Sequence, residues 1–524
     1  MKLNQAIHKL RTEAHLSQEN FAALFQVSQQ AVQKWESGET MPEIGKIIAI
    51  SKYFGVSLDA LLLGNDNRIV EELKNTHTIK PHYASIHTWE FYPDNFPTEY
   101  QQSLEEGLDI AKYKDLFSAA ALLPKNEIKK KLGDVLFEIV QTAPTQKDYP
   151  YVEPSTLDEI KALRQPYAYK KVPGKDLKSK LTGAWYGRIC GCMLGKPIEG
   201  IRTNELIPCL KETGNYPMHR YIYKTDITSE TTQKYTFPFG GRTFADGIDG
   251  MPVDDDTNYT VLYQELIEKW GKDFTPEDVT KLWLDYQPKD AYCTAERVAF
   301  CNFVKGYLPP DSAAYQNPFR EWIGAQIRAD YFGYINPGNP ELAAEMAWRD
   351  ASVSHVKNGI YGEMFVAAML AAAAETNDVQ DIILAGLAQI PKTSRLYRDV
   401  NWVLDHYNRG GTKEDCWQHI SKQYDEHTIH GWCHTNSNAM IVAMALLYGG
   451  GDYGKSICIA VEAAFDTDCN GATVGSILGM ANGIESIPDY WTEFIHDTLY
   501  TSLFGLNKVK ISDRVEMTLK HIGI

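Results

Sequence analysis

The residues best suited to chemistry in this chain are carboxylates. They fall in three groups far apart in sequence: Glu199; Asp254, Asp255 and Asp256; and Asp466 with Asp468. The triplet opens a segment with Val261, Leu262, Leu266, Ile267 and Trp270 at helical spacing. Acids at a helix start cap free N–H groups and complement the dipole. Three in succession exceed that need, and a divalent cation relieves their repulsion; carboxylates are the donors that hard Mg2+ or Mn2+ takes. Asp466-Thr467-Asp468-Cys469-Asn470-Gly471 leads into Ala472–Gly479, a small-residue run that must pack tightly and bury the acids at its start. Small apolar neighbours cannot neutralise buried acids, so a metal shared between the groups is the economical partner. Glu199 follows Gly183, Gly187, Gly191 and Gly195. Glycines every four residues line one helix face and admit a second backbone or a ligand, at ~1 kcal/mol each in helix propensity. Taken alone, Glu199 after Pro197 reads as a solvated loop residue.

Taken in order, G-x-x-x-G-x-x-x-G-x-P-x-E, then D-D-T, then D-x-D, the three groups resemble the ADP-ribosylglycohydrolase family over roughly residues 177 to 495. The resemblance implies an all-α domain with two Mg2+ (or Mn2+) ions that hydrolyses a glycosidic bond of an ADP-ribosyl group. It makes Asp254, Asp255, Asp256, Asp466 and Asp468 metal ligands, with Glu199, Asp255 and Asp256 as catalytic candidates. Three positions depart from the family pattern. Asp254 stands where Ser or Thr is usual, still an oxygen donor. Cys192 replaces the frequent aspartate after Gly191. Cys469 stands at a hydroxyl ligand position, a soft donor poorly suited to Mg2+, so Asn470, a water or another residue is an alternative there. Asp350–His355 and Asn358–Glu363 resemble a segment near the ribose and diphosphate, which offers His355, Gly359 and Tyr361 as binding candidates; a structural histidine is an equal reading. Arg328 suits an anion or a buried acid. The expected activity is hydrolysis of an ADP-ribosyl bond. The alternatives are a non-catalytic ADP-ribose or nucleotide sensor and a nucleoside or other N-glycoside hydrolase.

The helices that begin the chain carry a second chemistry. Leu3, Ile7 and Leu10 mark one helix; Ser17 caps another with Phe21, Ala22 and Leu24; Ser28 caps a third that Gly38 ends. Two more are expected at Ile44–Phe54 and Leu58–Leu63. The pattern L-R-x-x-x-x-L-S-Q-x-x-x-A followed by V-S-x-x-x-V-x-K-W-E-x-G resembles the Cro/phage-repressor helix-turn-helix family over residues 1 to 64. The resemblance places Gln18 on the sugar-phosphate backbone of duplex DNA and the third helix in the major groove. Glutamine pairs with adenine in two hydrogen bonds, so Gln29, Gln30 and Gln33 are the candidate base readers, beside Ser28 and Lys34. A homodimer is expected, its two reading helices about 34 Å apart or a multiple.

Length and charge bound the rest. The 524 residues call for several domains, and 44% apolar with 23% charged residues is a globular composition. The net charge is −16, yet residues 1 to 64 hold six basic and six acidic side chains, so the remainder carries all of it. An acidic body repels nucleic acid, which leaves DNA binding to the neutral module. The run Met364–Ala374 falls short of the ~20 apolar residues of a membrane span. No membrane association is expected. Nine scattered cysteines and no secretory leader point to a reducing cytoplasm, and the close pair Cys190 and Cys192 is a poor zinc signal on its own. Residues 65–95 read as a linker. Stripes at Tyr100–Tyr113, Leu116–Leu123 and Ile128–Val140 read as a helical spacer over 96–170 that packs on the hydrolase or forms a dimer interface. The whole is expected to be all-α.

Overall fold

The computed structural model describes residues 2–63, 79–172 and 176–523. The chain forms two compact units, Met1–His82 and Tyr83–Ile524. Both are helical. Among the described residues the strands are two three-residue segments, Thr498–Tyr500 and Lys508–Lys510, paired antiparallel. No described helix is long and apolar enough to cross a membrane.

In the first unit α1 (Leu3–Glu13), α2 (Gln18–Leu24), α3 (Gln29–Ser37), α4 (Ile44–Phe54) and α5 (Leu58–Leu63) enclose a core of Ile7, Phe21, Phe25, Val32, Trp35, Ile47, Ile50 and Leu61. Their boundaries follow from caps. Ser17 Oγ accepts from Asn20 N and Ser28 Oγ from Ala31 N, each at 3.1 Å. Gly38 closes α3 at φ +80°, in the left-handed region that a side chain disfavours.

The expected linker lies partly outside the described residues; what is described of it from Tyr83 onward is folded into the second unit. Short turns at Tyr83–Ser85, Thr88–Glu90 and Tyr92–Asn95 bury Phe91 and Tyr92. The spacer stripes become helices Phe96–Glu105, Lys114–Ala121 and Glu127–Thr142 around Phe96, Phe117, Leu136 and Phe137. The expected helix over Tyr100–Tyr113 is corrected: it stops at Glu105 because Gly107, at φ +81°, turns the chain away.

The spacer packs on the body of its own unit through buried charge. Arg320 grips Glu99 Oε1 at 2.8 Å and Glu106 Oε1 at 2.6 Å. Arg395 bridges Glu153 at 2.9 Å and Glu321 at 2.8 Å. Glu105 meets His430 Nε2 at 3.0 Å and His434 Nε2 at 3.6 Å. Both rings accept hydrogen bonds at Nδ1, from Trp322 Nε1 and from the Asn436 amide, so their protons sit on Nε2 and face the carboxylate. His430 thus donates to Glu105, while His434 Nε2 faces it from beyond hydrogen-bond distance.

The centre of the second unit is a pair of helices, the glycine helix Leu177–Gly195 and the small-residue helix Thr467–Asn482. A Cβ on Gly183, Gly187 or Gly191 would stand 2.4, 2.2 or 2.0 Å from the carbonyl oxygen of Gly479, Gly475 or Gly471. On Gly195 it would meet Asp468 N at 2.3 Å. The two backbones therefore touch along four turns, which explains the four-residue spacing: the glycines admit a second backbone.

Candidate functional site

The two aspartate groups stand at helix starts. Asp254 is the N-cap of helix Asp255–Trp270, its Oδ1 accepting from Asp256 N at 3.0 Å. Asp466 precedes the small-residue helix, and its own N–H donates to Asn438 Oδ1 at 3.2 Å. The chain reaches it through Ala464 and Phe465, both at φ +57°, a conformation that costs residues with a Cβ on the order of 1–3 kcal/mol. Both are fully buried, and Trp432 Nε1 donates to the Phe465 carbonyl, which holds the turn. Glu199 follows the turn that ends the glycine helix.

The structure brings these groups together although more than two hundred residues separate the aspartate pairs. Ligand atoms of Cys192, Asp254, Asp256 and Asp468 lie within 4.8 Å of one another, as do those of Asp466, Asp468 and Cys469. Asp255 shares this centre: burial and the charges of Asp254, Asp256, Glu199 and Asp466 hold its carboxyl well above the usual range. Burial also lifts Asp466 to about 6. Glu199 is raised to about 7, by desolvation first and by the charges of Asp466 and Asp254 next. Its side chain is still 43% exposed, which makes it the carboxyl at the open edge of the centre.

Two cations enter the site that the sequence reading did not single out. Arg188, one turn before Cys192 on the glycine helix, donates to Asp256 Oδ1 at 3.0 Å and to Asp330 Oδ2 at 2.7 Å. Lys196 Nζ lies 2.6 Å from Asp254 Oδ2. With its other oxygen serving as the cap, Asp254 is already fully engaged. At the edge, Arg242 stands over the Phe237 ring at 4.9 Å and reaches Glu199 at 4.0 Å, while Arg202 stands over Trp432 at 5.1 Å. The signal for Arg188 and Lys196 lay in their positions on the glycine helix and just past its end, but only their partners give them meaning.

These cations do not satisfy the acids. Asp256 Oδ2 and Asp468 Oδ1 have no hydrogen-bond partner, in residues 0% and 3% exposed. Buried carboxylate oxygens without partners are costly, and a divalent cation between them removes the cost. The donor set of Asp255, Asp256, Asp466 and Asp468 fits such an ion. Asn470 donates to Asn438 at 2.8 Å and leaves its buried Oδ1 without a partner, so it remains an oxygen donor beside Cys469.

The binding candidates of the intervening segment are all buried. His355 is 1% exposed, with Nδ1 on Ser354 Oγ at 2.8 Å, and burial beside Arg328 keeps it neutral. Tyr361 is fully buried and donates to the Pro154 carbonyl in the spacer. Gly359 is a close-packing position, where a Cβ would meet the Arg320 carbonyl at 2.7 Å. A glycine-rich helix start signals close packing as readily as phosphate binding; Gly359 and Tyr361 are packed against neighbours, while His355 keeps a buried Nε2 without a hydrogen-bond partner. Arg328 resolves toward the buried-acid alternative, pairing with Asp350, Glu296 and Glu363 at 2.6, 3.0 and 3.5 Å.

Residues 173–517 match the ADP-ribosylglycohydrolase family. The chain belongs to that family. Residues 7–61 match the helix-turn-helix family, so one chain carries a helix-turn-helix and an ADP-ribosylglycohydrolase-family domain. The HTH-type transcriptional activator BcrR of Enterococcus faecalis is 37% identical over 87 residues, 17% of this chain and 43% of that protein. The chain thus spans less than half the length of this curated relative. A solved structure titled "ADP-ribosylglycohydrolase-related protein complex" aligns over 67% of this chain and 99% of its own, at 15% identity and a TM-score of 0.39.

On the helix-turn-helix, Gln29, Gln30, Gln33 and Lys34 are exposed along α3. Ser28 spends its hydroxyl oxygen on the cap. Gln18 donates to Glu36 Oε2 at 2.7 Å, and Arg11 donates to Glu36 at 2.6 and 3.1 Å. Glu36, its side chain 7% exposed, therefore ties α1 and α2 to α3, a lock that no short spacing reveals.

Proposed function

We propose that the chain is a DNA-binding regulator whose family domain hydrolyses an ADP-ribosyl glycosidic bond with divalent cations, two Mg2+ or Mn2+ by family resemblance. The observation that carries this reading is the gathering of Asp254, Asp256, Asp466 and Asp468, with an orphaned oxygen on Asp256 and on Asp468 and with Asp255 and Glu199 near enough to feel their charge. Bound there, a divalent pair supplies positive charge for the ribose hydroxyls and lowers the pKa of water. The protein's own contribution is proton transfer and orientation. Glu199, partly exposed and raised toward neutrality, is placed to take a proton from the attacking water or to give one to the leaving group. Asp255 and Asp256 orient the nucleophile, and Arg188 holds Asp256 in place. Arg202 and Arg242 at the edge suit a diphosphate.

The helix-turn-helix binds duplex DNA as a homodimer, Gln29, Gln30 and Gln33 reading base edges while Gln18, Ser28 and Lys34 face the backbone. Nine cysteines without a disulfide support a cytoplasmic setting. The test is hydrolysis of ADP-ribosyl-arginine, ADP-ribosyl-serine, ADP-ribosylated DNA and plain nucleosides by the purified chain with a divalent cation. Asp466→Asn is expected to abolish turnover and spare DNA binding. Cleavage of nucleosides alone moves the substrate class. Lys196, a cation already seated on Asp254, favours a second reading in which the centre senses ADP-ribose without cleaving it; binding without turnover of any substrate is its outcome.

A further inference from the structure

Two cysteines stand among the carboxylates of the acidic centre. Cys192 Sγ gathers with Asp254, Asp256 and Asp468, Cys469 Sγ with Asp466 and Asp468, and the two groups share Asp468. Both cysteines are buried, at 0% and 6% exposure, and neither forms a disulfide. The backbone fixes them there. Cys192 follows Gly191 and Cys469 lies two residues before Gly471, and at that pair a Cβ on either glycine would reach the other's carbonyl oxygen at 2.0 or 2.3 Å. Neither cysteine's backbone can withdraw unless the helices part.

Each group also offers an oxygen in want of a partner. Asp256 Oδ2 belongs to the Cys192 group, and Asp468 Oδ1 belongs to a residue common to both. Asp254 contributes less, since Lys196 and the helix cap already occupy its oxygens. What remains for an ion is a mixed set of carboxylate and sulfur. Mg2+ takes oxygen ligands, whereas sulfur beside carboxylate suits borderline cations such as Zn2+, Fe2+ or Co2+.

We propose that this centre selects a thiophilic divalent cation over Mg2+, with Cys192 and Cys469 as thiolate ligands beside Asp256 and Asp468. This rests on the proposed reading that the centre holds a divalent metal, and it replaces the Mg2+ of the family resemblance with a thiophilic cation. On binding, each S–H bond breaks, a sulfur–metal bond forms, and the proton passes to solvent, with no change of oxidation state.

The test uses the full chain, stripped with a chelator under anaerobic conditions and titrated with Co2+. The expected results are an intense near-ultraviolet thiolate-to-cobalt band, release of about one proton per thiolate, and displacement of Co2+ by Zn2+ but not by a large excess of Mg2+. Cys192→Ser and Cys469→Ser are each expected to lose part of the band, and the double variant all of it. Should these variants fail to fold, the sulfur-to-cadmium absorption of the unaltered chain reports the same ligands. Bound Co2+ without a sulfur band overturns the thiolate inference and leaves the metal centre standing, and displacement by Mg2+ overturns the selectivity. If no Co2+ binds at all, both the centre and the inference fall.

Discussion

Gly191→Ala puts the contact between the two central helices under direct test. A Cβ at this position stands 2.0 Å from Gly471 O, 2.5 Å from Gly471 C and 3.1 Å from Ala472 N. Carbon–oxygen contacts settle at about 3.3–3.6 Å, so the backbones must part by more than ~1 Å. All three obstacles are backbone atoms of a buried helix, and no side chain can swing aside. Overpacking costs about 1–3 kcal/mol, here at the upper end, and alanine returns ~1 kcal/mol of helix propensity, for a net loss of about 2 kcal/mol. With an unfolding entropy of ~2.1 cal/mol/K per residue across Tyr83–Ile524, that loss lowers Tm by about 2 °C. The same displacement moves Asp468 and Cys469 relative to Cys192, and cation affinity is expected to fall ~10-fold or more. The assays are thermal unfolding and cation titration, with Gly247→Ala as control, since a Cβ there meets nothing within 4 Å. Unchanged Tm and unchanged cation affinity in Gly191→Ala would refute the claim that backbone contact positions the acids.

Other outcomes follow from the same geometry. Gln33→Ala, on the exposed face of α3, is expected to relax preference at one base of each half-site by ~1–3 kcal/mol in a binding-site selection; specific binding that survives loss of Gln29, Gln30 and Gln33 together would sink the groove assignment. Arg395→Met leaves Glu153 and Glu321 buried without their cation, and chemical denaturation is expected to show a loss of ~3–5 kcal/mol; a loss below ~1 kcal/mol contradicts the ion-pair account. Burial depresses His434 to about 4, so it is neutral in the folded chain across a range where the unfolded imidazole, at about 6.5, takes a proton. Its contribution is full above pH 6.5 and falls by as much as ~3 kcal/mol as pH drops toward 4. His434→Gln is expected to flatten the stability profile in that window, and an unchanged profile rejects the assignment. Finally, operator DNA titrated with and without saturating ADP-ribose and divalent cation is expected to differ in affinity by ~1–3 kcal/mol, with the reciprocal effect on ADP-ribose; equal affinities mean the two functions are only tethered.

Local signals carried far in this chain. Ser17, Ser28 and Gly38 fix the ends of α2 and α3 because capping is a matter of a few adjacent atoms, and the expected bounds Ile44–Phe54 and Leu58–Leu63 are those observed. The all-helical class followed from periodicity, and the acid groups from composition too charged for capping alone. The helix break after Glu105 was harder to read, since the apolar stripe continues past Gly107 while the backbone does not.

What the linear order by itself determined, then, was which residues carry charge and which stretches coil. Partnership across the fold was decided only by tertiary structure. A glycine every fourth residue is equally compatible with a ligand or a second helix, and the carbonyls of Gly471, Gly475 and Gly479 choose the helix. Arg188 looks like an ordinary helix cation and Lys196 like an ordinary C-cap until Asp256 and Asp254 arrive beside them. His355 and Tyr361 sit in a segment rich in binding signals, yet packing buries both. The physical reason is the same in each case: hydrogen bonding, charge pairing and burial depend on distances between residues remote in sequence, and those distances exist only once the helices have packed.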